Sequence, residues 1–213
     1  MAGTSRDRMV DSTIKLLAQH GFQGASFSSV LEDSGAPRGS IYHHFPGGKN
    51  ELVLEALDRS GARASSIVGN LRGQPADAII RVFVGLWRSL LLASDFSAGC
   101  SVLGVTVSSD EPEILHRAAG IFRSWHTELA DVLTAGGLEK MSADQVATLT
   151  IAACEGAVVL CRAEHTTQPL DEVETALLQT IGVMTSSRCV TGLTHSTASA
   201  PPIWKESSDD DTH

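Results

Sequence analysis

Aromatic residues are scarce in this 213-residue chain, which holds one tyrosine, three tryptophans and six phenylalanines. A β-sandwich or barrel draws on aromatic and β-branched residues, whereas alanine-rich sequence favours helices, so the expected class is all-α. Cysteine is also sparse. Cys100, Cys154, Cys161 and Cys189 show no CxxC spacing, which argues against the common zinc and dithiol patterns and leaves buried thiols as the expectation. Cys154 and Cys161, seven apart, fall on one helix face, suited to packing against a neighbour. No HExxH, GxSxG, P-loop or dinucleotide fingerprint occurs, so neither catalysis nor a cofactor is expected. A metal is not expected either, since His43 and His44 are adjacent and adjacent helical residues point about 100° apart. The N-terminus lacks a long apolar stretch, and Arg81 and Glu155 interrupt the two most apolar regions short of the ~20 residues of a membrane span. A cytoplasmic protein without a membrane partner is the expectation.

Positive charge is short as well, the chain carrying a formal −9. The deficit is uneven. Residues 1–50 hold Arg6, Arg8, Lys15, Arg38 and Lys49 against Asp7, Asp11, Glu32 and Asp33, whereas the remainder holds eleven basic residues against twenty-one acidic ones. A near-neutral head therefore precedes an acidic body, and the overall charge does not exclude nucleic acid as a partner of the head.

Within the head, Val10, Ile14, Leu17 and Ala18 fall at helical spacing, with Thr4 or Ser5 as N-cap and Gly21 as the stop. Ser26 can cap a second, short helix whose Phe27, Val30 and Leu31 face inward and which Gly35 ends. After the tight "GAP" connection a third helix is predicted over 38–45. Ile41 and Phe45 form its core face, which leaves Arg38, Ser40, Tyr42, His43 and His44 outward. Two short helices meeting at a glycine turn, the second presenting a polar face, follow the pattern of a helix-turn-helix.

Such a helix reads DNA if its outer face reaches phosphates and base edges while its inner face is pinned to a core. The hydroxyls of Ser40 and Tyr42, the His44 imidazole and the Lys49 ammonium suit phosphates. Arg38 suits guanine, and His43 a base or a thymine methyl. Gly39 would let the backbone approach closely, and Ser28 and Lys49 lie near helix starts that attract anions.

These residues carry a resemblance. The stretch TIKLLAQHGFQGASFSSVLEDSGAPRGSIYHHFPGGKNELV resembles the N-terminal DNA-binding domain of TetR-family transcriptional regulators over about residues 8 to 55. It shares Gly21-Phe22, the cap Ser26, Gly35, the run from Gly39 to Phe45 and Lys49. The wording APRGSIYHHFPGGK is similar to the LmrA/YxaF-like branch, associated with drug-efflux genes. The resemblance implies phosphate contacts from Ser28, Ser40, Tyr42, His44 and Lys49 and groove contacts around Arg38, Gly39 and His43. Serine at 28, where many relatives carry arginine, implies a modest, salt-sensitive phosphate affinity.

The resemblance divides the chain into a DNA-binding head (1–50), a helical ligand-binding and dimerisation body (51–190) and a tail (191–213). The tail's Ser/Thr/Pro-rich, aperiodic sequence reads as disordered. In the body, apolar stripes run through Ile79, Val82, Phe83, Leu86, Trp87 and Leu90, and through Ile114 to Val132. The short segment GCSVLGVTVSS fits strand or helix, with helix preferred. Ala147, Ala152, Ala153, Gly156 and Ala157, with Val173, Leu177, Ile181 and Met184, are the expected dimer face, protomer core being the alternative. Phe83, Trp87, Leu103, Phe122 and Trp125 are the expected ligand wall, again against ordinary core. Glu155 and His126 either orient a ligand or sit at a wet edge. The function implied is a homodimeric repressor, released from a palindromic DNA operator by a small, largely apolar effector. The alternative is a ligand-binding or scaffold protein with a vestigial head.

Overall fold

The computed structural model describes residues 4–191, with side chains through Ser186. The tail expected beyond Thr191 and the side chain of Cys189 lie outside the described residues. Among those described there is no strand. The order is α1 (Ser5–Gly24), α2 (Phe27–Ser34), α3 (Ser40–His44), α4 (Lys49–Gly69), α5 (Ala76–Ala93), α6 (Ser101–Thr106), α7 (Pro112–Ala135), α8 (Lys140–Glu164) and α9 (Gln168–Thr191).

The local signals explain most boundaries. Thr4 closes a reciprocal capping box with Asp7, satisfying N–H groups that the first helical turn leaves open. Gly21, at φ 67 and ψ −167, breaks the path of α1 where a stop was expected, and the chain re-enters one further turn to Gly24. Ser26 caps α2, and Gly35 ends it in the left-handed region, where glycine has no Cβ penalty. The ambiguous segment after Cys100 is helical as α6, capped by the Cys100 sulfur.

Two apolar clusters hold the molecule together. One joins α5, α7, α8 and α9 around Ile79, Leu129, Cys154 and Leu177. The other joins the head to the body, packing Leu17, Ile41, Phe45 and Leu57 with Val102, Val105, Ile114 and Trp125. The buried core therefore does not part at residue 50. Helix α4 runs through the junction, and Arg59 and Arg63 bind Asp7 (2.9 Å) and Asp11 (2.8 Å) of α1.

Several stripes are rotated from their expected register. On α5, Val82 and Leu90 are exposed while Ile80, Val84 and Leu91 are buried, because α5 is covered from two sides, by α8 and by α9. Ala147, Ala157, Leu177 and Ile181, expected at a dimer face, are protomer core. Helix α8 also corrects the expectation that no segment is apolar enough to span a membrane. By length and composition it qualifies, yet nearly half of its most apolar stretch is buried inside the protein.

Glu155 points into this interior. Both of its oxygens are buried without a hydrogen-bond partner, and burial pushes its carboxyl up to about 7. The Cys100 thiol opposes that shift, but sulfur is too weak a donor to satisfy the carboxylate. Cys100, Cys154 and Cys161 are free and buried. Burial, then the neighbouring Glu155, pushes the Cys154 thiol up to about 12.

A carboxyl with a raised folded-state value stays protonated in the fold after the unfolded chain has ionised. Its contribution is therefore full at low pH and lost as pH rises from about 4.5 to about 7. Glu155→Gln removes that titration. Relative to the unaltered protein, the variant should gain about 3 kcal/mol between pH 5 and pH 8. Thermal unfolding across that range checks this, and parallel stability curves would refute it.

Candidate functional site

The outer face of the head is built on two anchors. Ile41 and Phe45 are both fully buried, which fixes the rotation of α3 and turns its other side outward. Tyr42 is 69% exposed, its ring edge-on to Phe27 of α2 at 5.4 Å between centroids. The contact locks the two short helices together and leaves the phenolic hydroxyl free to meet a phosphate. His43 is exposed and His44 half-buried, their rings 5.4 Å apart.

The helix is shorter than expected. Arg38 and Gly39 lie in the turn before it rather than on it: the Pro37 carbonyl accepts the Ser40 N–H (2.9 Å), a bond spanning three residues where an α-helix spans four, and it accepts the Ser40 hydroxyl as well (2.6 Å). The Ser40 hydroxyl proton is thus committed within the turn, leaving its oxygen only as an acceptor. Arg38 is exposed and makes no hydrogen bond or ion pair among the described residues. Gly39 has φ −71, a value any residue adopts, and a Cβ there would meet nothing within 4 Å. The fold therefore does not demand a glycine here.

The other expected contacts are differently placed. Ser28 is exposed on the first turn of α2, its hydroxyl shared with Ser26 at 2.8 Å. Lys49 opens α4 with its ammonium 3.9 Å from the centroid of the Phe22 ring, and burial holds it below the usual lysine range. Arg6 lies over the Phe45 ring at 5.3 Å and pairs with Glu55. It is engaged with α3's anchor Phe45 and with α4, whereas the exposed Arg8 side chain makes no hydrogen bond or ion pair among the described residues.

Behind the head lies a cavity of about 750 Å³. Phe83, Trp87 and Trp125 line it, and Leu103 and Phe122 do not. Phe122 instead packs edge-on against Trp125, ring centroids 5.5 Å apart, and Leu103 packs on the core cluster shared by head and body. Leu103 sits on the short α6, whose register depends on where the Cys100 cap starts it. His126 and Glu155 are not among the lining residues either.

The sequence did not reveal that α1 itself forms a wall, through Ile14, Ala18 and Gln19. Ile67 and Leu90, both partly exposed, also line it. The charged residues of its lining are Asp11, Lys15 and Asp95. Lys15 is held by Asp33 and Asp11 by Arg63, while Asp95 lies exposed. A hydroxyl pair, Ser60 with Ser101 at 3.0 Å, and the carboxamide of Gln19 supply its polar points. The chemistry of such a space suits a neutral, mostly apolar molecule with a few hydrogen-bonding groups. The Trp125 indole N–H donates to the Gly61 carbonyl of α4 at 3.1 Å, tying the cavity wall to that helix as well.

A third surface is apolar. Leu149, Ala152, Gly156, Val159 and Leu160 form an exposed stripe along α8. It lies on the face of α8 opposite the buried Ala147, Cys154, Val158 and Cys161.

Both parts of the chain match known proteins. Residues 9–56 match the family "Bacterial regulatory proteins, tetR family", and residues 75–176 match "Transcriptional regulator LmrA/YxaF-like, C-terminal domain". An HTH-type transcriptional regulator of Mycobacterium tuberculosis is 34% identical over 179 residues, covering 81% of this chain and 91% of that one. The HTH-type transcriptional regulator LmrA of Bacillus subtilis is 24% identical over 185 residues, covering 82% and 95%. Among solved structures, a TetR transcriptional regulator from Legionella pneumophila superposes with a TM-score of 0.76 at 21% identity, covering 84% of this chain and 98% of that one.

Proposed function

Since the chain belongs to the TetR family of bacterial transcriptional regulators, with the helix-turn-helix head by which that family binds DNA, we propose that it is a cytoplasmic homodimeric repressor. In this reading residues 1–50 are the head and 51–190 the effector-binding and dimerising body. Two heads clasp a palindromic operator, and a small, neutral, largely apolar molecule releases them. Arg38 and His43 read base edges with Gly39 against the groove. Tyr42, His44, Lys49 and Ser28 position the backbone, and Ser40 contributes from its turn. Occlusion of the operator needs no surface beyond the two heads, which favours repression as the mode of action.

The dimer forms through the α8–α9 face. Leu149, Val159 and Leu160 leave there an apolar strip too continuous for a solvated helix, with Ala152 and Gly156 permitting close approach. The observation that carries ligand response is the shared wall. Ile14, Ala18 and Gln19 line the cavity on the same helix whose Met9, Val10 and Leu17 belong to the core that seats α3. A ligand that fits one position of α1 better than another therefore changes the placement of the head, and only that difference in affinity shifts binding.

Selection of bound duplexes from a random pool tests the DNA reading. The expected product is a palindrome with half-sites about one turn, 10–10.5 base pairs, apart. On that duplex Arg38→Ala should lower affinity by roughly 5- to 150-fold and relax preference at one position of each half-site. Enrichment of no symmetric sequence would overturn the proposal.

A further inference from the structure

Arg162, near the end of α8, is far in sequence from the head, yet its guanidinium is bonded to the head's first helix. The break at Gly21 removes the ordinary donor for the Ala18 carbonyl, because the Phe22 N–H turns to the Ser108 hydroxyl at 2.8 Å. The Gly99 N–H takes its place on that carbonyl at 2.9 Å. One arm of Arg162 reaches the same Ala18 carbonyl at 3.4 Å. The other arm bonds the Gln19 carbonyl at 3.1 Å and the Ser97 carbonyl at 2.9 Å. A single planar cation thus stitches α8, α1 and the loop between α5 and α6. Its charge lies at the carbonyl-bearing end of the regular part of α1, where a cation is favoured.

The location of the stitch matters. Ala18, Gln19, Ser97 and Gly99 all line the cavity. Immediately beyond Gly21 is Phe22, which carries the Lys49 ammonium on its ring, and then the Ser26 cap of α2. The seam held by Arg162 is therefore the cavity wall on one side and the root of the head on the other.

We infer that Arg162 is the positioning residue that couples the cavity to the head, and that an effector acts by straining this three-carbonyl seam between α1 and the loop over 94–100. The inference rests on the ligand-responsive reading above. Without Arg162 the hydrogen bonds that remain between the end of α1 and the loop, among the described residues, are the Gly99 bond and the Gln19–Ser97 side-chain contact. The head then keeps its own core and its DNA-reading face, and the cavity keeps its aromatic lining. What is lost is the link between them.

The test measures that link directly. N-phenyl-1-naphthylamine serves as the cavity probe, and a duplex selected on the unaltered protein serves as DNA. Operator affinity is titrated with and without saturating dye for the unaltered protein, Arg162→Ala, Arg162→Lys and Trp87→Ala. In the unaltered protein dye should weaken operator binding by about 10-fold or more, within the usual range of coupling between sites. In Arg162→Ala, dye affinity and dye-free operator affinity should stay within about 3-fold of the unaltered protein, while the effect of dye on operator binding falls below about 3-fold. Arg162→Lys, able to reach fewer carbonyls at once, should fall between, and it decides the matter if the alanine variant unfolds. Trp87→Ala should lose dye binding and retain operator binding. Full dye response in both Arg162 variants overturns this inference alone. No dye uptake, or no effect of dye on the unaltered protein, overturns the ligand-responsive reading and this inference with it.

Discussion

Leu160→Glu should convert a dimer into monomers and weaken operator binding by about 100-fold or more. Leu160 is half-exposed on the protomer, so a glutamate there is solvated in the monomer and costs the fold little. In a twofold interface through α8 the same substitution appears twice, on one self-complementary patch. It would place two carboxylates against apolar neighbours, at several kcal/mol for burying unpaired charge. A monomer engages one half-site at a time and loses the intramolecular advantage of the second, worth roughly 10²- to 10⁴-fold. Sedimentation velocity and fluorescence anisotropy on the selected duplex read the two effects separately. A Leu160→Glu protein that still sediments as a dimer would remove α8 from the interface.

Gly104→Ala should lower the melting temperature by about 2–8 °C, although alanine favours helices. A Cβ at 104 would lie 2.6 Å from the Leu17 carbonyl oxygen of α1, and neither partner can yield by a side-chain rotation because both are helix backbone. Overpacking of this kind costs about 1–3 kcal/mol or more, against about 1 kcal/mol gained in helix propensity. For a chain of this size each net kcal/mol moves the midpoint by about 2–4 °C. Since α1 must shift from α6, the variant should also bind operator less tightly. Calorimetry showing an unchanged or raised midpoint would mean that the helices separate freely, and that the head is not held at this crossing.

The head was largely legible in sequence because its determinants are local. The Ser26 cap, Gly35, and the four-residue spacing of Ile41 and Phe45 each act within a turn or two, and they set which side of α3 faces out. What escaped was the extent of that helix. The Pro37 carbonyl closes a turn onto the Ser40 N–H, so Arg38 presents from that turn, and the Ser40 hydroxyl is consumed by the same carbonyl three residues back. The body was less legible because a periodic stripe says only that a face is buried. Along α8 nearly every position is apolar or small, and the choice between Ala147 facing the protomer and Leu160 facing outward depends on where α7 and α9 lie.

Composition and short-range pattern by themselves determined that this is a helical protein with an exposed reading helix at its N-terminal end, because helix propensity, caps and glycine stops are properties of a few neighbouring residues. Only the tertiary structure decided that α1 walls the cavity, that Gly104 is where α1 and α6 touch, and that Arg162 holds carbonyls more than a hundred residues away. Those relations depend on the angles at which helices cross, and the crossing is set by the packing of many side chains at once, which no stretch of sequence encodes alone.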